Sequence, residues 1–287
     1  MPYATSGQAR IAYATHGPES SSDGAETLLL IMGLGGSGAM WWRLLPHLAR
    51  EHRVITLDNR GTGESSAATG PLTMGVMAND AIAVLDAAGV AQAHVVGASM
   101  GGMVAQHVAL DHRDRVRSLA LACTTAGGPS GPPNLRLLAA TFLRPLVGPQ
   151  RTSPLVAPAL YSDRTRHQRP ALMAQDLARR LRDRVGLFTP WAQMAAIARH
   201  DTRARLGELA DLGVLVLHGT EDRLVPVDRG RALARAIPGA RLVEFPDTGH
   251  ILSTDAEDEV AAALLGHVAR HARGGGRRAP RDRAAAG

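Results

Sequence analysis

The chain is 287 residues long and 45% hydrophobic, enough for one sizeable core, which at 3% aromatics must rest on Leu, Val, Ile and Ala. Its single cysteine, Cys123, excludes an internal disulfide and a cysteine-based metal site. The net charge of +6 is local: residues 126–210 hold thirteen arginines against five acidic residues and residues 271–287 five against one, so the remainder is net acidic. Without aromatic interleaving or a nucleic-acid-binding motif, no nucleic-acid partner is expected.

In chain order, the opening MPYATSGQARIAYATHG has neither the basic start nor the apolar run of a signal peptide. No window is apolar for long enough to cross a bilayer, so a cytoplasmic chain with no membrane partner is expected. Ala9–Gly17 alternates like an edge strand of an antiparallel hairpin. Strand-length apolar runs follow at Thr27–Gly33, Arg53–Asn59, His94–Ser99, Ser118–Thr124, Gly213–Gly219 and Arg241–Pro246. Their near-continuous hydrophobicity suits a sheet buried on both faces. Met74–Gly89 and Asp228–Gly239 repeat apolar residues at helical spacing and stop at a glycine, and Met100–Leu110 also reads as a helix. Together they predict an α/β fold: a mostly parallel, doubly wound sheet. After Thr125 the Gly/Pro-rich AGGPSGPPNLRLL opens a stretch of helices without a clear strand. Residues 1–125 and 211–270 are therefore expected to form the core, 126–210 an inserted helical cap, and 271–287 a disordered basic tail.

One residue of this pattern is chemically exposed. Ser99 ends a strand and opens a helix in Gly97-Ala98-Ser99-Met100-Gly101, where G-x-S-x-G marks a nucleophile elbow. The turn is tight enough to strain its central residue, and only very small side chains fit two positions either way. A serine needs a base, and the base an orienting acid. GTEDRLVP offers Asp222 after one strand and FPDTGHILS offers His250 after the next, in the order Ser, Asp, His. Glu221 sits one place early, Asp247 precedes the histidine loop, His218 still belongs to a strand, and His94 lies at the wrong end of its own. An oxyanion hole needs two N–H donors: Met100 follows the nucleophile, and Leu34 lies in the glycine-rich IMGLGGSGAMWW loop. Gly33 and Trp42 of that loop are assigned to the substrate pocket. No metal or organic cofactor is implied.

With these motifs the chain resembles the α/β-hydrolases, in their capped, esterase-like branch. LDNRGTGES (Leu57–Ser65) is similar to the family's D-x-R-G-x-G-x-S loop, a structural feature near the oxyanion strand. GTEDRLVPVDRGRALARAIPGARLVEFPDTGH resembles its acid-to-histidine segment. Met32 departs from the histidine usual before the first glycine, and Ser99 stands where haloalkane dehalogenases and epoxide hydrolases carry aspartate. The resemblance implies a serine hydrolase acting on a carboxylic ester, thioester or lactone of a small molecule through an acyl-enzyme. The substrate is expected to be anionic or carrier-linked if the arginines of 126–210 act as a funnel, and of either charge if they only solvate a helical face. A lyase on the same scaffold and a non-enzymatic small-molecule receptor are the alternatives.

Overall fold

The computed structural model describes residues 1–18, 25–128 and 147–272. Residues 129–146, which hold most of the Gly/Pro-rich opening of the expected cap, and all but two residues of the expected tail lie outside them. The strands are β1 Tyr3–Ser6, β2 Ala9–His16, β3 Thr27–Ile31, β4 Arg53–Leu57, β5 Ala93–Ala98, β6 Val116–Ala122, β7 Gly213–Gly219 and β8 Arg241–Phe245. They form one sheet in the order β1-β2-β4-β3-β5-β6-β7-β8. β1, β2 and β4 pair antiparallel, and every pairing from β4 through β3 to β8 is parallel. The predicted α/β sheet and its antiparallel edge are thus present.

Side-chain alternation explains why the strands read as continuous apolar runs. Leu29, Ile31, Ile55, Val95, Leu119 and Val216 bury on one face beside the Met74–Ala87 and Met100–Asp111 helices. Leu28, Leu30, Val54, Val96, Leu215 and Leu217 bury on the other, beside the Glu257–Arg270 helix. Covering both faces removes the polar alternation expected of a half-solvated sheet. The first of those helices ends as predicted: Gly89 takes φ 67°, and the Gly89 and Val90 N–H groups donate to the Asp86 and Leu85 carbonyls. The Glu257–Arg270 helix was not among the predicted elements, although Val260, Ala261, Leu264 and Val268 recur at helical spacing.

Apart from Gly213–Gly219, which matches β7, the predicted parallel strands overshoot at their C-terminal ends. Gly33, Asn59, Ser99 and Thr124 have already left the ladder, because there the backbone turns into loops. Between β6 and β7 the described residues form the helices Pro149–Leu160, Asp163–Gln168, Pro170–Arg182 and Thr189–Ala198. Among the described residues, no helix is long and apolar enough to cross a membrane.

Candidate active site

The elbow carries the strain its sequence implies. Ser99 has φ 56° and ψ −121°, a conformation that side chains rarely adopt. A Cβ on Gly97 would fall 2.3 Å from the Gly101 carbonyl oxygen, and one on Gly101 would fall 2.1 Å from that of Ile31. No side chain fits at either position. The turn is held by Ser99 N–H donating to the Ala122 carbonyl at 2.8 Å and by Thr124 Oγ1 donating to the Ser99 carbonyl at 2.7 Å. Ser99 remains partly exposed at the N-terminus of the Met100–Asp111 helix.

Asp222 lies just past β7 and His250 past β8, both buried. His250 Nδ1 is 2.7 Å from Asp222 Oδ2, while Asp222 Oδ1 accepts from Leu224 N–H at 2.9 Å and Val225 N–H at 2.8 Å. Burial alone would raise the Asp222 pKa. The His250 charge, hydrogen bonds from both histidines and the Val225 N–H outweigh it, holding the carboxyl well below the usual range. Glu221 is turned away: its Oε2 accepts from Asp163 N–H at 3.0 Å. The Nε2 of His218, inside β7, lies 3.4 Å from Asp222 Oδ2 and 2.8 Å from the Val225 carbonyl, fixing the loop that carries Asp222. Sequence reasoning set His218 aside as a base and missed this supporting contact.

Ser99 and His250 line one cavity of about 740 Å³. Among the described residues, Ser99 and His250 are not hydrogen-bonded to each other, and His250 is held through its Nδ1 by Asp222. Gly33 borders Ser99 so closely that a Cβ there would lie 3.0 Å from Ser99 Cβ. The backbone N–H groups of Leu34 and Met100 donate to no backbone acceptor among the described residues. Residues distant in sequence fix the loop. Gly35 N–H donates to Gln193 Oε1 at 2.9 Å, Ser37 Oγ to Asp183 Oδ1 at 2.7 Å, and Gly38 N–H to Asp58 Oδ1 at 2.8 Å. Asn59 Nδ2 donates to the Met32 carbonyl at 2.8 Å. Gln193 and Asp183 come from the inserted helices, and no local signal marks them.

The pocket assignment of Trp42 is corrected. Trp41 lines the cavity, whereas Trp42 lies outside its wall with the guanidinium groups of Arg43 and Arg179 at 4.2 Å and 4.5 Å from its ring. The 3₁₀ turn Gly38–Trp41 buries Trp41 and leaves its neighbour half-buried and stacked on cations. Cys123 is a buried core residue at the cavity, its thiol pushed well up by burial. No group of three or more His, Cys, Asp or Glu among the described residues is placed to hold a metal ion.

The family model described as the alpha/beta hydrolase fold matches residues 26–257. The chain belongs to the alpha/beta hydrolase family. This hydrolase is 33% identical over 271 residues to RutD of Azorhizobium caulinodans, provisionally named a carbamate hydrolase, a match covering 93% of this chain and 97% of that one. A thermophilic esterase from Thermogutta terrifontis superposes with a TM-score of 0.82 at 26% identity, over 95% of this chain and 99% of the other. The enol-lactonase of Burkholderia xenovorans LB400 superposes with a TM-score of 0.81 at 27% identity, over 93% and 100% respectively.

Proposed function

We propose that the protein is a serine hydrolase that cleaves a carboxylic ester, thioester or lactone through an acyl-enzyme on Ser99. One observation carries this reading: a strained, partly exposed serine shares a cavity with a histidine whose far nitrogen is held 2.7 Å from a buried carboxylate. His250 Nε2 takes the Ser99 proton as Oγ attacks the acyl carbon, and Asp222 orients the ring and stabilises its positive charge. The Leu34 and Met100 N–H groups receive the oxyanion. Collapse expels the alcohol, thiol or ring oxygen with the proton returned by His250. Water then releases the acid by the same steps in reverse order.

A carbamate substrate is the second reading, favoured by the name of the sequence relative from Azorhizobium caulinodans. Free carbamate has four heavy atoms, far fewer than a cavity of about 740 Å³ accommodates, so the pocket favours a larger acyl compound. A fluorophosphonate probe read by peptide mass spectrometry should label Ser99, and turnover of an ester panel in ¹⁸O-water should place the label in the acid product. Labelling of another residue would remove Ser99 as the nucleophile. An unlabelled, unsaturated product would make the enzyme a lyase.

A further inference from the structure

Of the basic groups in the cavity wall, Arg180 differs from its neighbours. Arg223 pairs with Asp163 at 3.0 Å, and Arg229 has an interaction of its own. Arg180 has no ion pair among the described residues, and its Nε is buried without a hydrogen-bond partner. It belongs to the Pro170–Arg182 helix, whose Asp176, Leu177, Arg180 and Leu181 share the face lining the cavity. Asp176, one turn earlier, does not answer its charge: Oδ1 lies 3.1 Å from Arg43 Nε and Oδ2 accepts from Thr254 Oγ1. The Tyr161 hydroxyl interacts with Arg180 but is no counter-ion, since burial pushes it up to about 12 against the charge and hydrogen bond of Arg180 and it stays neutral. Trp41 Nε1, on a second residue of the wall, also lacks an acceptor. A guanidinium cannot shed its proton, so one without a counter-ion in a largely apolar cavity costs free energy that an incoming anion restores.

We propose that Arg180 is the receptor for a carboxylate on the substrate, so that the site selects acyl compounds carrying a free acid group besides the bond to be cleaved. The selection rests on the Ser99 reading, but the carboxylate site does not. The test measures kcat/KM for monoethyl glutarate and for ethyl pentanoate, esters of similar length that differ in terminal charge. The ratio of the two should fall at least ~30-fold in Arg180→Gln, the size of one lost charge-assisted pair. Arg180→Lys should restore part of it, because the charge returns without the planar fork. Arg223→Gln, which removes an equal charge from the same wall, should move the ratio less than ~3-fold. A ratio unmoved by Arg180→Gln, or moved equally by Arg223→Gln, overturns the assignment. Calorimetry with glutarate separates it from the hydrolase reading. Binding by wild type that Arg180→Gln abolishes supports the carboxylate site even if neither ester is cleaved. Absence of binding overturns it even if both are.

Discussion

Two serine–histidine–carboxylate arrays sit at opposite edges of the same sheet. At the C-terminal edge are Ser99, His250 and Asp222. At the N-terminal edge His94 Nδ1 lies 2.7 Å from Ser118 Oγ, and His94 Nε2 approaches Glu26 Oε2 at 3.5 Å. The second has the closer serine–histidine contact, yet its three residues are buried and none lines the cavity that holds Ser99. Its serine is an ordinary strand residue, its carboxylate is shared with Arg117 at 3.3 Å, and burial with neighbouring cations lowers the His94 pKa to about 3. A histidine that neutral water cannot protonate is a poor base. Residue types and spacing alone can build a packed core; a catalytic array also needs substrate access and a base whose charged form is stabilised rather than suppressed.

Serine replacement should separate the arrays most sharply. Ser99→Ala should lower kcat on a reactive p-nitrophenyl ester by ~10⁴-fold or more, while Ser118→Ala changes it less than ~3-fold. Comparable losses would show that the turnover assay reports folding and not the elbow. The carboxylates come next. Asp222→Asn should cost ~10³-fold or more in kcat with KM nearly unchanged, and Glu26→Gln or Glu221→Gln only a few-fold. A larger loss from Glu221→Gln would reverse the choice of acid. Loop support is weaker still: Gln193→Ala frees the Gly35 N–H and should lower kcat ~10-fold by loosening the oxyanion loop.

The N-terminal edge should instead reveal itself in stability. His94 and His267 are both lowered to about 3, the first cause in each case being burial. Between their ordinary value of 6.5 and about 3 the unfolded chain binds protons that these folded side chains refuse. Their contribution is therefore complete above pH 6.5 and declines as pH falls, by up to ~1.4 kcal/mol per pH unit for each histidine. Urea midpoints at pH 7, 6 and 5 should fall accordingly, and His94→Gln should flatten the trend. A midpoint independent of pH would remove the buried-histidine account. The smallest expected effect concerns salt. Arg166, Arg184, Arg203 and Arg205 of the inserted segment are paired with carboxylates and exposed charges are screened by salt, so a modest salt effect is expected. From ~0.01 to ~0.5 M salt, kcat/KM for monoethyl glutarate should fall less than ~5-fold. A steeper fall, absent for ethyl pentanoate, would restore the electrostatic funnel.

The sheet, the elbow and the order of Ser99, Asp222 and His250 were legible in the sequence. Local chemistry suffices for those: apolar runs mark buried strands, glycine marks where a Cβ collides, and loop residues follow strand ends. It also placed His94 at the wrong edge, because strand direction is readable. The Glu257–Arg270 helix was legible in its apolar spacing, although no element was assigned there. Only the tertiary structure decided which tryptophan faces the cavity, because adjacent residues in a 3₁₀ turn diverge and packing selects the one turned inward. The supports of the site were likewise invisible beforehand. Gln193 reaches Gly35 and Asp183 reaches Ser37 across 158 and 146 residues, and Arg180 is distinguished only by the partners its neighbours have taken. Such properties depend on where side chains meet in space, and no periodicity along the chain encodes them.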